Sequence, residues 1–280
     1  MSYSTDLMRN VVVETFLAGK SPDVSVCEDA LVVSNAFIGV VDGATFKGPS
    51  PVPPTDVSPG RTVAQLIAGA IADLSPDIPA RAAIDNISAL VKRRVRGLDR
   101  LSQSQAAAAI AIVSVARREI WRVGDCLLRI GDKEITPRLS IDNHIAAVRA
   151  CHNATFLIDG WSLNELRAED PGRNLVLPLL ERKYRFRNLD SDQLFGFGAI
   201  DGSPVPDRFI EVYAVPSSDC DIVVCTDGYP RALGTLAASE AHLADLLERD
   251  PLCIKDFIST KGVKPGDVSF DDRAYIRVRL

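Results

Sequence analysis

The residues in this sequence best equipped for chemistry are carboxylates set at the ends of short apolar runs. Glu28 and Asp29 precede the run 31–33, Asp42 follows 37–41, Asp227 follows 222–225, and Asp271-Asp272 lead into 274–280. The runs 31–33 and 37–41 read as strands joined at Ser34-Asn35, so Glu28-Asp29 and Asp42 return to one end of a hairpin. Carboxylates gathered in this way, with carbonyls and water, form an all-oxygen cage suited to octahedral Mg²⁺ or Mn²⁺. Three scattered histidines and six cysteines without a C-x-x-C pair argue against zinc. Asp-Gly is also the favoured hairpin dipeptide, so Asp42-Gly43 taken alone equally reads as a turn. Asp159-Gly160 and Asp201-Gly202 are read as turns.

The elements that must position these groups follow from hydrophobic period. Residues 11–17 read as a first strand, and 20–25 as the loop delivering the acidic hairpin. A Pro-rich loop over 48–59 ends at Ser58-Pro59, a helix cap, and Val63, Leu66, Ile67, Ala70 and Ile71 continue at helical spacing. A second helix is expected over 79–97. The runs 106–115, 119–123 and 126–130 read as an antiparallel meander interrupted at Gly124-Asp125. A strand is expected over 154–158, a short helix opened by the capping box Ser162 to Glu165, and another helix over 175–181. Residues 188–206, rich in Gly and Asp, read as an exposed loop, and 160–205 as a flap. Strands over 209–215 and 222–225, helices over 236–248 and 254–260, and a final strand complete the chain. Strand groups separated by paired helices indicate antiparallel sheets covered by helices in a single domain over 1–280.

Composition narrows the function. The 280 residues carry a formal charge of −5 with pI near 5.3, which argues against a nucleic-acid partner. The cluster Lys92-Arg93-Arg94-Val95-Arg96 falls opposite the helical stripe Ile84, Ile87, Leu90, Val91 and Val95 and reads as a solvated face. Mean hydropathy of +0.08 comes from dispersed aliphatics, so no membrane association is expected. An opening segment without an apolar signal points to the cytoplasm, where the cysteines would remain small buried hydrophobes.

Taken in order, Glu28-Asp29, Val-Val-Asp42-Gly43, Val-Gly124-Asp125, Cys-Thr-Asp227-Gly228 and Asp271-Asp272 before the last strand resemble the PPM family of protein phosphatase 2C-like, metal-dependent serine/threonine phosphatases. The resemblance spans nearly the whole chain. It implies an α+β fold, a four-layer α-β-β-α sandwich of two antiparallel sheets flanked by helices, with two Mn²⁺ or Mg²⁺ ions at one end. By that resemblance Asp42 bridges the ions, Gly43 lends its carbonyl, Glu28 serves one ion and Asp227 and Asp272 the other. Asp125 serves a possible third ion, with Asp29 and Asp271 standing behind the ligands. Metal-activated water, held through Asp42, Asp227 and Asp272, would attack a phosphoprotein substrate. Two departures stand out: Val24 occupies the place of the family's phosphate-holding arginine, and Ala44-Thr45 follow Asp42-Gly43. Lys20, Lys47, Arg185 and Arg187 are the candidate replacements for that arginine. The alternative the missing arginine favours is a catalytically weak or inactive module that binds a phosphorylated partner.

Overall fold

The computed structural model describes residues 11–44, 57–96, 107–137, 140–191, 194–216 and 219–280. Their strands form two five-stranded sheets with antiparallel pairing throughout. One sheet orders β1 (Val12–Ala18), β10 (Arg273–Arg279), β9 (Asp221–Cys225), β6 (Leu127–Ile130) and β7 (Lys133–Ile135). The other orders β2 (Ala30–Val33), β3 (Phe37–Gly43), β4 (Ala108–Ser114), β5 (Glu119–Val123) and β8 (Glu211–Ala214).

The central strands are apolar on both faces because both faces are covered. Ile38 and Val40 of β3, with Ala109, Ala111 and Val113 of β4, meet Ile222, Val224, Ala274, Ile276 and Val278 of the opposite sheet between the layers. The alternate residues Phe37, Val41, Ile110 and Ile112 face outward onto α1 (Pro59–Ala72) and α2 (Ala80–Arg96), through Val63, Ile67, Ile71, Ile84, Ile87 and Val91. On the far side, Val223, Cys225 and Tyr275 pack with Leu243 of α6 (Leu236–Arg249). The result is the expected α+β sandwich of two sheets between helical layers. Ser58 caps α1, its hydroxyl accepting from Arg61 N at 3.2 Å, and Ser162 and Glu165 form the expected capping box of α4 (Leu163–Glu169).

Four expectations are corrected. Residues 154–158 are the end of α3 (Ser140–Ile158), a helix of 19 residues, not a strand. Its buried side runs Ile141, Ile145, Arg149, Asn153, so two polar residues interrupt what would otherwise read as an apolar stripe. Residues 254–260 form no helix. There the Asp250 carboxylate accepts from the amides of Ile254, Lys255 and Asp256, and Arg149 takes the carbonyls of Leu252, Cys253 and Ser259, so side chains replace the i to i+4 ladder. The meander is split, because Gly124-Asp125 carries the chain from β5 in one sheet to β6 in the other. Finally, the stretch expected to be an exposed loop is anchored: Ile200 exchanges backbone hydrogen bonds with Ala108 at 2.9 and 3.0 Å, and Ala199, Ile200 and Val205 are buried. Much of the expected flap is helical, comprising α4, α5 (Pro171–Arg182) and a 3₁₀ turn at Lys183–Phe186, with α5 packed on α3. Of the cysteines, five are buried as expected and Cys151 is exposed; all six are free thiols.

Candidate active site

Register brings the acidic strand ends together. Ala30 opposite Val41 sets Asp29 beside Asp42 on the β2–β3 hairpin. In the other sheet Cys225 of β9 lies between Leu127 of β6 and Tyr275 of β10, so Asp125, Asp227 and Asp271-Asp272 extend from the same end of three neighbouring strands. The glycines explain why these Asp-Gly pairs are not hairpin turns. A Cβ on Gly43 would lie 2.4 Å from the Glu28 carbonyl oxygen and 2.5 Å from that of Gly60, and one on Gly228 would lie 2.0 Å from the Asp272 carbonyl oxygen. Close backbone approach is what these positions need. Gly160 and Gly202, by contrast, have φ of 93° and 87° and are the turns expected.

Asp42, Gly43, Asp125, Asp227 and Asp271 line a cavity of about 670 Å³. Asp42 and Asp227, from different sheets, stand close enough at the cavity wall for their side chains to interact. Burial, then the neighbouring charges of Asp29, Asp125 and Asp271, holds the Asp42 carboxyl well above the ordinary range. Burial, then Asp42 and Asp271, does the same to Asp227. Asp125 is raised chiefly by burial, with Lys183 pulling the other way. Asp29 is 6% exposed and accepts from the Thr226 hydroxyl at 2.7 Å, while Thr226 Oγ1 accepts from Ala274 N at 2.8 Å. Thr226 thereby ties the two sheets together directly behind the site, a role that the Cys-Thr-Asp-Gly run does not disclose.

The structure keeps Glu28 and Asp272 off that cavity. They are 4% and 3% exposed and gather around Lys20, whose ammonium stands 2.7 Å from Asp272 Oδ2 and 3.6 Å from Glu28 Oε2. The Ser58 hydroxyl donates to Glu28 Oε1 at 2.7 Å. Asp271 and Asp272 are thus placed the other way round from the sequence reading: Asp271 lines the cavity beside Lys261, and Asp272 is turned inward. In an extended segment adjacent side chains point to opposite faces, so an error of one residue exchanges their surroundings.

The anchor candidates separate in the same way. Arg187 lines the cavity, and its Nη1 lies 3.4 Å from Asp201. Arg185 is exposed on the 3₁₀ turn, Lys20 serves Asp272, and Lys47 lies outside the described residues. Two lysines that sequence reasoning passed over are better placed. Lys183 and Lys261 both line the cavity, Lys183 bonded to Asp142 and Lys261 to Asp271. Val24 is 52% exposed on a 3₁₀ turn, not a core residue, and its carbonyl accepts from Arg61 Nη1 at 3.2 Å.

Does this donor set suit a divalent cation? Asp42, Asp227 and Asp125 are partly buried carboxylates crowded at one cavity, and hard oxygen donors of this kind match Mg²⁺ or Mn²⁺. Among the described residues no three His, Cys, Asp or Glu side chains already stand in coordinating positions. The Asp42–Asp227 half of the expected site therefore fits a cation by chemistry, while the Glu28–Asp272 half is engaged by an ammonium.

The fold and this cavity define a two-sheet sandwich with an acidic pocket at one end, and solved structures of the same architecture exist. The chain is similar to the serine/threonine phosphatase Stp1 from Staphylococcus aureus, at TM-score 0.52 and 12% identity over 97% of this chain and 96% of that one. It is also similar to a bacterial serine phosphatase, at TM-score 0.51 and 13% identity over 95% and 96% of the two chains. At such identity the likeness establishes the fold. No protein-family profile and no curated protein matches the sequence. Among the described residues no helix is long and apolar enough to cross a membrane.

Proposed function

We propose that the chain is a PPM-type, metal-dependent phosphomonoester hydrolase acting on phosphoserine or phosphothreonine in proteins. The observation that carries this reading is the convergence of Asp42, Asp125 and Asp227 on the wall of one cavity, partly buried carboxylates contributed by different sheets. Asp42, Asp227 and Asp125, with the Gly43 carbonyl, would hold Mn²⁺ or Mg²⁺. When bound, such a cation supplies an activated water and neutralises phosphoryl oxygens. The remaining work falls to the chain. Asp142 holds Lys183 toward the cavity, and Asp271 holds Lys261. An entering phosphate would draw both ammonium groups from these carboxylates and be oriented by them. The Tyr184, Phe197 and Phe257 side chains on the wall limit water around it.

Phosphate release from an aryl phosphate and from phosphoserine and phosphothreonine peptides, with Mn²⁺ or Mg²⁺ and then with chelator, tests the reading. Release that stops on chelation is expected. No release with either ion at millimolar concentration overturns it, and phosphopeptide binding without release would assign the chain to the non-catalytic alternative. The proposed anchors add a second expectation. Lys183→Met and Lys261→Met should each raise KM by about tenfold or more, since a hydrogen bond to a charged group contributes roughly 1.5–3 kcal/mol. Unchanged KM in both variants would move the phosphate elsewhere, with Arg187 next to be tested.

A further inference from the structure

We propose that the Lys20 ammonium is a built-in cation that takes the place of a second divalent ion, so that the acidic centre loads one metal per chain. This inference rests on the proposed metal-dependent reading and sharpens its stoichiometry.

Lys20 is bound to the acidic end at several points. Its ammonium lies 2.7 Å from Asp272 Oδ2, 3.6 Å from Glu28 Oε2 and 3.9 Å from Asp271 Oδ1. Its own amide donates to the other oxygen of Asp272 at 2.8 Å, so one residue grips both oxygens of one carboxylate. The Lys20 carbonyl accepts from Val268 N at 2.8 Å, which fastens it to the segment that leads into Asp271-Asp272. Such a lysine cannot swing out without breaking the bonds that place Asp272.

Charge and crowding lead to the same conclusion. Asp272 Oδ2 also accepts from Glu28 N at 3.2 Å, and Glu28 Oε1 accepts from Ser58, so both carboxylates already hold donors that a metal would have to displace. The Lys20 side chain is 23% exposed, and a divalent ion at Glu28 and Asp272 would leave its ammonium partly buried against a like charge. The Asp42–Asp227 pair has no such tenant among the described residues. One half of the centre therefore calls for a cation and the other already contains one.

The test is a calorimetric titration with MnCl₂ on the full chain, with bound manganese counted after desalting. Wild type should bind one ion, Lys20→Met two, and Lys20→Arg, which keeps the charge, one. Two ions in wild type, or one in Lys20→Met, overturns the inference while leaving the phosphatase reading intact. No binding to any of the three proteins overturns both. If Lys20→Met does not fold without metal, Asp272→Asn decides the matter. Wild-type stoichiometry should survive that change, whereas loss of a bound ion would show Asp272 to be a metal ligand.

Discussion

Asp42→Asn is expected to raise the melting temperature of the metal-free protein while removing both its response to Mn²⁺ and its turnover. The opposite signs follow from one cause. Burial and the charges of Asp29, Asp125 and Asp271 hold the Asp42 carboxyl pKa above its ordinary range, which is to say that they destabilise its ionised form. A neutral amide of the same shape escapes that penalty and still reaches Asp227. In the wild type a cation relieves the same repulsion, and at one hundred times its dissociation constant it would stabilise the native state by about 2.7 kcal/mol. Asn at position 42 forfeits this gain. Losing several kcal/mol of charge stabilisation in the transition state corresponds to roughly a 10³-fold fall in rate. Thermal melts with and without Mn²⁺, beside phosphate release, read all three effects. A variant that keeps its Mn²⁺-dependent melting shift would remove Asp42 from the metal site.

Much of this was legible in the sequence because the strands are uninterrupted. Residues 37–41 and 108–113 are apolar on both faces, and such runs, the first ending at Asp42-Gly43, already tell which chain ends meet. Asp42, Asp125 and Asp227 are found where the strand ends predict, at one cavity. What could not be read were partnerships set by tertiary contact. Lys20 and Asp272 stand 252 positions apart, and no local pattern links a lysine after the first strand to an aspartate before the last. Lys183 and Lys261 were hidden for a similar reason, since each reaches the cavity only because α3, α5 and the segment 250–261 close over that end of the sandwich. The helix α3 escaped notice because its buried stripe contains Arg149 and Asn153, and the helix expected over 254–260 is cancelled by the same arginine.

Arg149→Met is expected to lower stability by about 3–5 kcal/mol, the usual result of removing one member of a buried ion pair. At about 2–4 °C per kcal/mol for a domain of this size class, the melting temperature should fall by roughly 10 °C. Arg149 is fully buried on α3 and uses its whole guanidinium. Nε and Nη2 take the Asp170 carboxylate at 3.0 and 2.7 Å, while Nη1 donates to the carbonyls of Leu252, Cys253 and Ser259 at 3.0, 3.3 and 2.9 Å. Asp170 in turn accepts from Arg173 N at 2.9 Å at the start of α5 and from Asn153 Nδ2 at 2.8 Å, so one side chain joins two helices to an irregular segment. Methionine fills the volume but leaves the Leu252 and Ser259 carbonyls without the guanidinium donor, the Cys253 carbonyl keeping the amide of Ser259 at 3.1 Å. The bidentate pair of Arg81 with Asp85 is a useful contrast. Its side chains are 42% and 48% exposed, and Arg81→Ala should cost no more than about 1 kcal/mol. The consequence reaches the cavity, because Phe257, Ile258, Ser259, Thr260 and Lys261 form one of its walls and lie on the segment that Arg149 holds. Hydrogen exchange in Arg149→Met should therefore accelerate over 252–261 before it does in β3, β4 or β9. Uniform acceleration across all of these segments would show that the arginine supports the whole fold and not this wall in particular.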